Sequence, residues 1–280
     1  YITNFGCGPD SFISKFFPKE VGGKPYLTID IDEHSADAGV MTRCEAFLDS
    51  LKNARIKEFK NETDLKRKYL PNKSRTMYIP YMNDCCFMAA AAMRANGVDA
   101  VALPMPDKTS LELGRKHTSG KECYPAILTT GDIVKKAKCP NFDPDRSVFF
   151  MATASGPCRF GQYNTMHRMI LDDIGLPHVP IYTLDQGEDY QEDTNKLGAN
   201  FRKLTWKGVV FVDYMQKLLY EIRPYEINEG DSDIIYKQHL RKAEHAIEFG
   251  HDLLQIAKDA RDALNGVAVD RSVRKPKIGI

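Results

Sequence analysis

The sequence has almost no net charge, because its 39 Lys and Arg residues are balanced by 38 Asp and Glu residues. Such a chain has no strong field with which to attract nucleic acid or an anionic membrane surface, so we expect neither as a partner. Long hydrophobic runs are also missing. The longest, CCFMAAAAM at 85–93, reaches about half of the ~18 residues that a membrane span needs. The length of 280 residues predicts one large domain or two ordinary domains, either of which can bury a core.

Paired C-x2-C spacings are missing as well, although the chain has seven cysteines. Zinc sites favour that spacing, and disulfide frameworks favour an even number of cysteines in a secreted chain. We therefore expect reduced thiols in a cytoplasmic protein. The chain starts at Tyr1 in a strand-like segment and ends in the basic stretch VRKPKIGI. We expect it to be part of a longer polypeptide, with 271–280 as a linker to a further domain.

Two glycine-rich stretches approach nucleotide-binding motifs without completing them. FGCGPDS has Ser11 where the dinucleotide fingerprint needs its third glycine. GRKHTSGKE separates its glycines by five residues rather than four, and Glu122 replaces the Ser or Thr that would hold magnesium. Neither stretch predicts a nucleotide site.

Strand-like and helix-like patterns alternate along about the first 185 residues. Runs such as RTMYIPY and SVFFMA are typical of buried strands, and helical periodicity follows each of them. This alternation predicts an α/β fold over 1–185 with a mainly parallel, Rossmann-like sheet. The strands stop near residue 190, so we expect a helical extension over 186–270. Its interrupted apolar stripe between Asp231 and Leu264 favours packing over partner docking.

Four of the seven cysteines have patterns that indicate structural roles. Cys44 shares a helical face with Val40, Phe47, Leu48 and Leu51, and free cysteine is among the most buried residue types. Cys85 and Cys86 open a helix of small residues, which favours core packing. Cys139 precedes a proline in a polar loop.

The other three cysteines lie where strands give way to helices. Cys7 follows the first strand between two glycines, Cys158 follows the strand SVFFMA, and Cys123 begins a helix in SGKECYP. Ligands bind at the carboxyl ends of parallel strands, and helix amino ends stabilise thiolates. Three thiolates suggest an iron–sulfur or metal centre with an open position. The spacing is equally compatible with one nucleophile and two bystanders, and a cysteine-nucleophile transferase would need a base such as His117.

Two further groups are candidates for contacts with a ligand. Arg159 could compensate a charged cluster or hold the carbonyl or phosphate groups of an acyl thioester. The acidic stretch from Asp30 to Asp37, TIDIDEHSAD with its His34, could bind a hard cation or contact a substrate. The interpretation we favour is that Ser35 caps the next helix, with the acidic residues near its positive end.

These same stretches resemble a known family. NFGCGPDSF, GKPYLTIDIDEHSADAGVMTRCEAFLD, LELGRKHTSGKECYPAILTTGD and TASGPCRFGQY are similar to the very long 2-hydroxyacyl-CoA dehydratase activase-related proteins. In those proteins, activase (ATPase) domains are fused to a region similar to the dehydratase subunits. The resemblance covers roughly residues 1–180. YMNDCCFM departs from the family pattern, which has no cysteines there, and this weakens any role for Cys85 or Cys86 in a cluster.

The resemblance implies a 4Fe–4S cluster held by three cysteines, with one iron left open, and by motif these are Cys7, Cys123 and Cys158. It implies an activase that delivers electrons at the expense of ATP, an acyl-CoA-like substrate, and dehydration or reduction chemistry under anaerobic conditions. We expect such a cluster to be lost from protein handled in air. The alternative is a non-catalytic scaffold or docking module for the activase, without a cluster.

Overall fold

The computed structural model describes residues 1–3, 8, 10–52, 74–154, 156, 158–184 and 194–276. Its strands are β1 (Ile2–Thr3), β2 (Ile29–Asp30), β3 (Thr76–Ile79), β4 (Ala100–Ala102), β5 (Ser147–Phe150) and β6 (Ile181–Tyr182). Its longer helices are α1 (Asp10–Glu20), α2 (Asp37–Leu51), α3 (Cys85–Arg94), α4 (Lys108–His117), α5 (Tyr124–Ala137), α6 (Tyr163–Asp173), α7 (Phe201–Ile222), α8 (Asp231–Phe249) and α9 (Leu253–Asn265).

The strands form parallel pairs. β1 pairs with β2, with Ile2 opposite Ile29, and β5 pairs with β6, with Phe149 opposite Ile181. β3 pairs with β4, with Met77 opposite Ala100. Parallel neighbours joined through helices define an α/β protein. The predicted class is therefore confirmed: a Rossmann-like α/β arrangement with a helical C-terminal part.

The chain folds into two compact units. The first unit consists of 1–69 and 105–190, and the second consists of 70–104 and 191–280. We expected a domain over 1–185 and a helical extension over 186–270. In the structure, 70–104 groups with 191–280. Residues 277–280 of the expected linker lie outside the described residues.

The core of the first unit is built from α1, α5, α6 and the β5–β6 pair. Phe12, Phe149 and Met166 are fully buried there. Helices α4 and α5 pack so closely that two glycines touch backbone. A Cβ atom at Gly131 would lie 1.7 Å from the Ser110 carbonyl oxygen, and one at Gly114 would lie 2.0 Å from that of Ile127. This contact fixes α5, whose first residue follows Cys123.

In the second unit, α3 packs on α7 and α8 through the small residues that run from Ala90 to Ala92. Gly208 of α7 allows a close approach, since a Cβ atom there would lie 2.4 Å from the Met88 Cβ. The Arg94 guanidinium at the end of α3 donates to Glu244 at 2.9 Å and to Glu248 at 2.8 Å. Small side chains and this ion pair explain why α3 joins the helical unit.

The prediction for α2 is wrong in one respect. Cys44 and Phe47 are only half-buried, Leu48 is 63% exposed, and α2 buries none of its residues. None of the closely packed pairs of elements in the described chain includes α2. Its apolar face therefore does not form part of the core, and Cys44 is not a core cysteine.

Burial destabilises the charged form of Asp132 on α5. Asp132 is 5% exposed, and its Oδ2 has no hydrogen-bond partner in the described part of the chain. Burial raises the pKa of its carboxyl to about 6, although a hydrogen bond from Ser110 acts in the opposite direction. A buried charge that is only partly compensated costs free energy when the group ionises.

We expect Gly131→Ala to destabilise the protein by about 1–3 kcal/mol or more, because the added methyl group overpacks the α4–α5 contact. The measurement is the midpoint of urea unfolding. Gly39→Ala is the matched control, since Gly39 lies in α2 with open space around it. The control should be neutral or slightly stabilising, because alanine favours helix. Equal midpoints for Gly131→Ala and the unmutated protein would contradict this packing.

We expect Asp132→Asn to stabilise the protein above pH 6 by about 1–2 kcal/mol, since one pKa unit corresponds to about 1.4 kcal/mol and relaxation of the site reduces the penalty. The folded-state pKa is raised, so the native state binds more protons than the unfolded state between the ordinary carboxyl pKa of 3.8 and about 6. Stability should therefore fall as pH rises through this window. In urea unfolding measured from pH 4 to pH 7, the variant should lose this decrease of the unfolding free energy with pH. Glu112→Gln, at an exposed position of α4, should keep it.

Candidate functional site

Cys123 lies at the amino end of α5, where its half-buried side chain meets a phenol. The Cys123 Sγ is 2.6 Å from the Oη of Tyr163. Its own carbonyl accepts the first hydrogen bonds of the helix, from Ala126 N at 2.9 Å and Ile127 N at 3.3 Å. Cys123 is thus the N-cap residue of α5, at the positive end of the helix. This is the position that the sequence predicted for it.

A buried carboxylate holds the loop that precedes Cys123. Glu122 is 5% exposed, and its oxygens accept hydrogen bonds from the Ser119 backbone N–H and hydroxyl, each at 3.0 Å. Gly120 supplies the left-handed turn between them, with φ of 85°. Glu122, which in the sequence only breaks the match to a phosphate-loop motif, therefore fixes the backbone beside Cys123.

Tyr163 is the centre of the site. It begins α6 and is 3% exposed. Its ring stacks on Phe12 at a centroid distance of 5.9 Å and meets the edge of Phe160 at 5.3 Å. Burial raises the pKa of Tyr163, and the hydrogen bond with Cys123 and the charges of Cys123 and Cys158 raise it further. The phenol therefore keeps its proton and can donate it to an ionised sulfur.

Cys158 lies five residues before Tyr163, in the turn that follows β5. It is exposed and precedes the 3-10 helix Arg159–Gln162. The turn closes through Gly161, where a Cβ atom would lie 2.3 Å from the Ala154 carbonyl oxygen. The Thr153 hydroxyl also donates to the Gly161 carbonyl at 3.0 Å. Glycine at 161 is therefore required for the tight backbone turn that contains Cys158.

Arg159 joins three segments of the first unit. Its Nη1 lies 3.5 Å from the Ser11 hydroxyl of α1 and 3.5 Å from the Lys121 carbonyl before Cys123. The Ser11 hydroxyl in turn donates to the Gly8 carbonyl at 2.7 Å. Both guanidinium contacts are at the long limit of a hydrogen bond, so Arg159 is positioned without being tightly held.

Tyr163 is hydrogen-bonded to Cys123, and the charges of Cys158 and Arg159 also act on its pKa, Cys158 raising it and Arg159 lowering it. Cys7 lies outside the described residues, so its part in the site stays a prediction. The donor set fits an iron–sulfur cluster, because thiolate sulfur is the ligand that such clusters use and hard cations avoid. A phenol O–H beside one sulfur and an arginine beside the other suit a negatively charged group.

Among the described residues, no histidine is hydrogen-bonded to Cys123 or Cys158. His167 is 1% exposed, its Nε2 lies 3.3 Å from the Thr129 hydroxyl, and burial lowers its pKa to about 3. His117, the base considered for a nucleophilic Cys123, has a buried Nε2 without a hydrogen-bond partner in the described chain. Burial and nearby lysines lower its pKa too.

The acidic stretch forms a turn. Asp32, Glu33 and His34 have ligand atoms within 4.8 Å of one another, the spacing of a possible metal site. The Ser35 hydroxyl donates to Asp32 at 2.6 Å and lowers its pKa, and the His34 N–H adds a bond at 3.1 Å. We expected Ser35 to cap α2, and this prediction is wrong. Its hydroxyl is hydrogen-bonded to Asp32, and the N-cap residue of α2 is Ala36.

Cys85, Cys86 and Cys139 have environments of other kinds. Cys86 is 8% exposed, and burial raises the pKa of its thiol, as core packing predicts. Burial also raises the pKa of Cys85 to about 11. Cys139 follows the far end of α5, with its Sγ 3.4 Å from the Lys135 carbonyl. Burial thus favours the neutral thiol at Cys85 and Cys86.

Sequence reasoning missed Tyr163 and Glu122 as parts of the site. Tyr163 ends the stretch GPCRFGQY and lies four residues after Arg159, so helical spacing could have placed it beside the cysteine turn. Glu122 precedes Cys123, and Ser119 three residues before it is the partner that a buried carboxylate would need. Both signals are local, but neither shows which distant segment the side chain meets.

Comparisons with protein-family profiles, with curated proteins and with solved structures gave no match. Among the described residues, no helix combines the length and the apolar character that crossing a membrane requires.

We expect Tyr163→Phe to slow alkylation of Cys123 by iodoacetamide about fivefold, because an ionised sulfur loses a hydrogen bond worth about 1 kcal/mol. Mass spectrometry of each cysteine gives the rates, and the exposed Cys158 serves as the reference within the same protein. Faster alkylation of Cys123 would show instead that the phenol only shields the thiol.

Proposed function

We propose that this chain is an iron–sulfur redox module, similar to the 2-hydroxyacyl-CoA dehydratase subunits, that accepts electrons from an ATP-dependent activase. Cys7, Cys123 and Cys158 are its cluster ligands, and a 4Fe–4S cluster supplies one-electron chemistry when bound. The proposed reaction is dehydration or reduction of a small acyl-CoA-like substrate in the cytoplasm. The activase domains belong to the same full-length chain in this proposal.

The observation that carries the proposal is the hydrogen bond between Cys123 and the buried phenol of Tyr163, whose helix begins just after the turn that contains Cys158. Thirty-four residues separate the two cysteines, and they come from different strand-to-helix segments. A purely structural thiol has no need of a second thiol, a phenol donor and a guanidinium around it. Soft sulfur ligands with such donors are the environment of an iron–sulfur cluster.

The neighbouring side chains have separate roles in this proposal. Tyr163 donates its proton toward the Cys123 sulfur and keeps it there, since its pKa is raised. Arg159 offers an accessible cation beside Cys158 for the carbonyl or phosphate groups of a substrate. Glu122 and Gly161 hold the two loops, so that both sulfurs are placed before a ligand arrives.

The test is anaerobic reconstitution of the protein with iron and sulfide, followed by iron and sulfide analysis and by visible absorbance. We expect the unmutated chain to take up both elements, and Cys158→Ala to fall to background because two thiolates hold a cubane poorly. Cys139→Ala is the matched control. It removes a thiol beyond the opposite end of α5, about 24 Å along the helix from Cys123, and should bind as much iron as the unmutated chain.

Equal iron and sulfide in Cys158→Ala and in the unmutated chain would refute the assignment of this ligand. If the unmutated chain takes up neither element, the redox proposal fails. Binding of isolated activase domains to such a cluster-free chain would then support the alternative, a docking module without catalysis.

A further inference from the structure

A cavity of about 770 Å³ lies on the second unit, between α7 and α9. Pockets of about 300–1,000 Å³ bury most of the surface of a small ligand. Gly250 and His251, in the loop between α8 and α9, also line the cavity. The cavity is thus large enough for a small molecule and is formed within a single unit of the fold.

The cavity floor is apolar and the walls are uncovered. Phe211 and Ile247 are each 4% exposed and form part of the lining. Above them Trp206 is 69% exposed, Val210 is 51% exposed and Leu254 is 64% exposed. Leu254 belongs to the apolar stripe for which the sequence predicted packing, and it departs from that prediction. No described part of the chain covers these three side chains.

The two helices present matching patterns to the cavity. Lys207, Val210, Phe211 and Tyr214 lie at positions i, i+3, i+4 and i+7 of α7, and Leu254, Ala257, Lys258 and Arg261 lie at the same spacing on α9. Residues so spaced share one helical face. Each wall therefore combines apolar side chains with cationic ones.

The charge of the lining is positive. Its only acidic side chain, Asp252, accepts hydrogen bonds from the backbone N–H groups of Leu254 and Gln255. Arg261 pairs with Asp262 at 2.8 Å. Lys207 and Lys258 have no carboxylate within ion-pair distance in the described part of the chain. Two lysines are therefore available to an anion, one on each wall.

We propose that this cavity binds a small amphipathic carboxylate, of the size of a medium-chain fatty acid. The apolar chain lies over Phe211 and Ile247, and Lys207 and Lys258 hold the carboxylate at the rim. The apolar floor supplies affinity by burial, and the lysines select the anion over a neutral or cationic amphiphile. The proposal is independent of the cysteine site, which lies in the first unit.

The test uses the single tryptophan of the chain, because Trp206 lines the cavity. Dodecanoate, added below its micellar concentration, should change the fluorescence of Trp206 with saturation. Dodecanol and dodecyltrimethylammonium are the matched probes, with the same apolar chain and no negative charge, and should bind more weakly. Calorimetry on the same samples checks that the fluorescence reports binding.

Two variants separate the contribution of the lysine charge from that of the apolar wall. Lys258→Met should weaken dodecanoate binding about fivefold, as expected for an exposed charge pair, and should leave dodecanol binding unchanged. Val210→Asp places a negative charge on a half-exposed wall, where it should abolish dodecanoate binding without unfolding the protein. Circular dichroism verifies that both variants are folded.

Equal affinity for the three probes, or no saturable binding of dodecanoate, would overturn the proposal. Binding of an acidic amphipathic peptide without binding of dodecanoate would also overturn it, since the groove would then be a docking surface for a helix. Iron uptake by Cys123 and Cys158 should be the same with and without dodecanoate.

Discussion

The hydrogen bond between Cys123 and Tyr163 depends on two helices that begin at the same place in the fold. Cys123 caps α5, and Tyr163 starts α6 and is packed against Phe12 of α1. The 2.6 Å contact therefore ties three segments of the first unit at their amino ends. Arg159 and Ser11 add a second, weaker link between the same segments. The site is a consequence of where these helices start and of the loops that Glu122 and Gly161 hold in place before them.

The tight contact between α4 and α5 also determines where Cys123 lies. The position of Cys123 depends on the axis of α5, and Gly114 and Gly131 let α4 approach that axis to backbone distance. The buried Asp132 lies in this contact at a cost in stability above pH 6. Packing that leaves no room for a side chain leaves little freedom for the helix, and hence for the sulfur at its end.

The order of strands and helices could be predicted from the sequence, because hydrophobic periodicity is a local signal. The alternation of RTMYIPY and SVFFMA with helical segments was sufficient for the α/β class and for the positions of Cys123 and Cys158 before helices. The exposure of Leu48 and the grouping of α3 with α7 and α8 could not be predicted. An amphipathic pattern shows which face is apolar, but it does not show which segment covers that face. The contact between Cys123 and Tyr163 could not be predicted for the same reason, since it joins residues forty positions apart.

The path of the chain through the second unit has a consequence for the order of synthesis. This unit contains 70–104 and 191–280, so all of 105–190 is made between its two parts. At ~5–20 residues per second, α3 leaves the ribosome several seconds before α7 and α8 exist. During that time Met88, Ala91 and Ala92 have no helices from their own unit to pack against. An Ala-rich helix that ends in Arg94 remains soluble in this interval better than a helix of large apolar residues would. The small residues that permit close packing in the finished protein also limit aggregation of the nascent one.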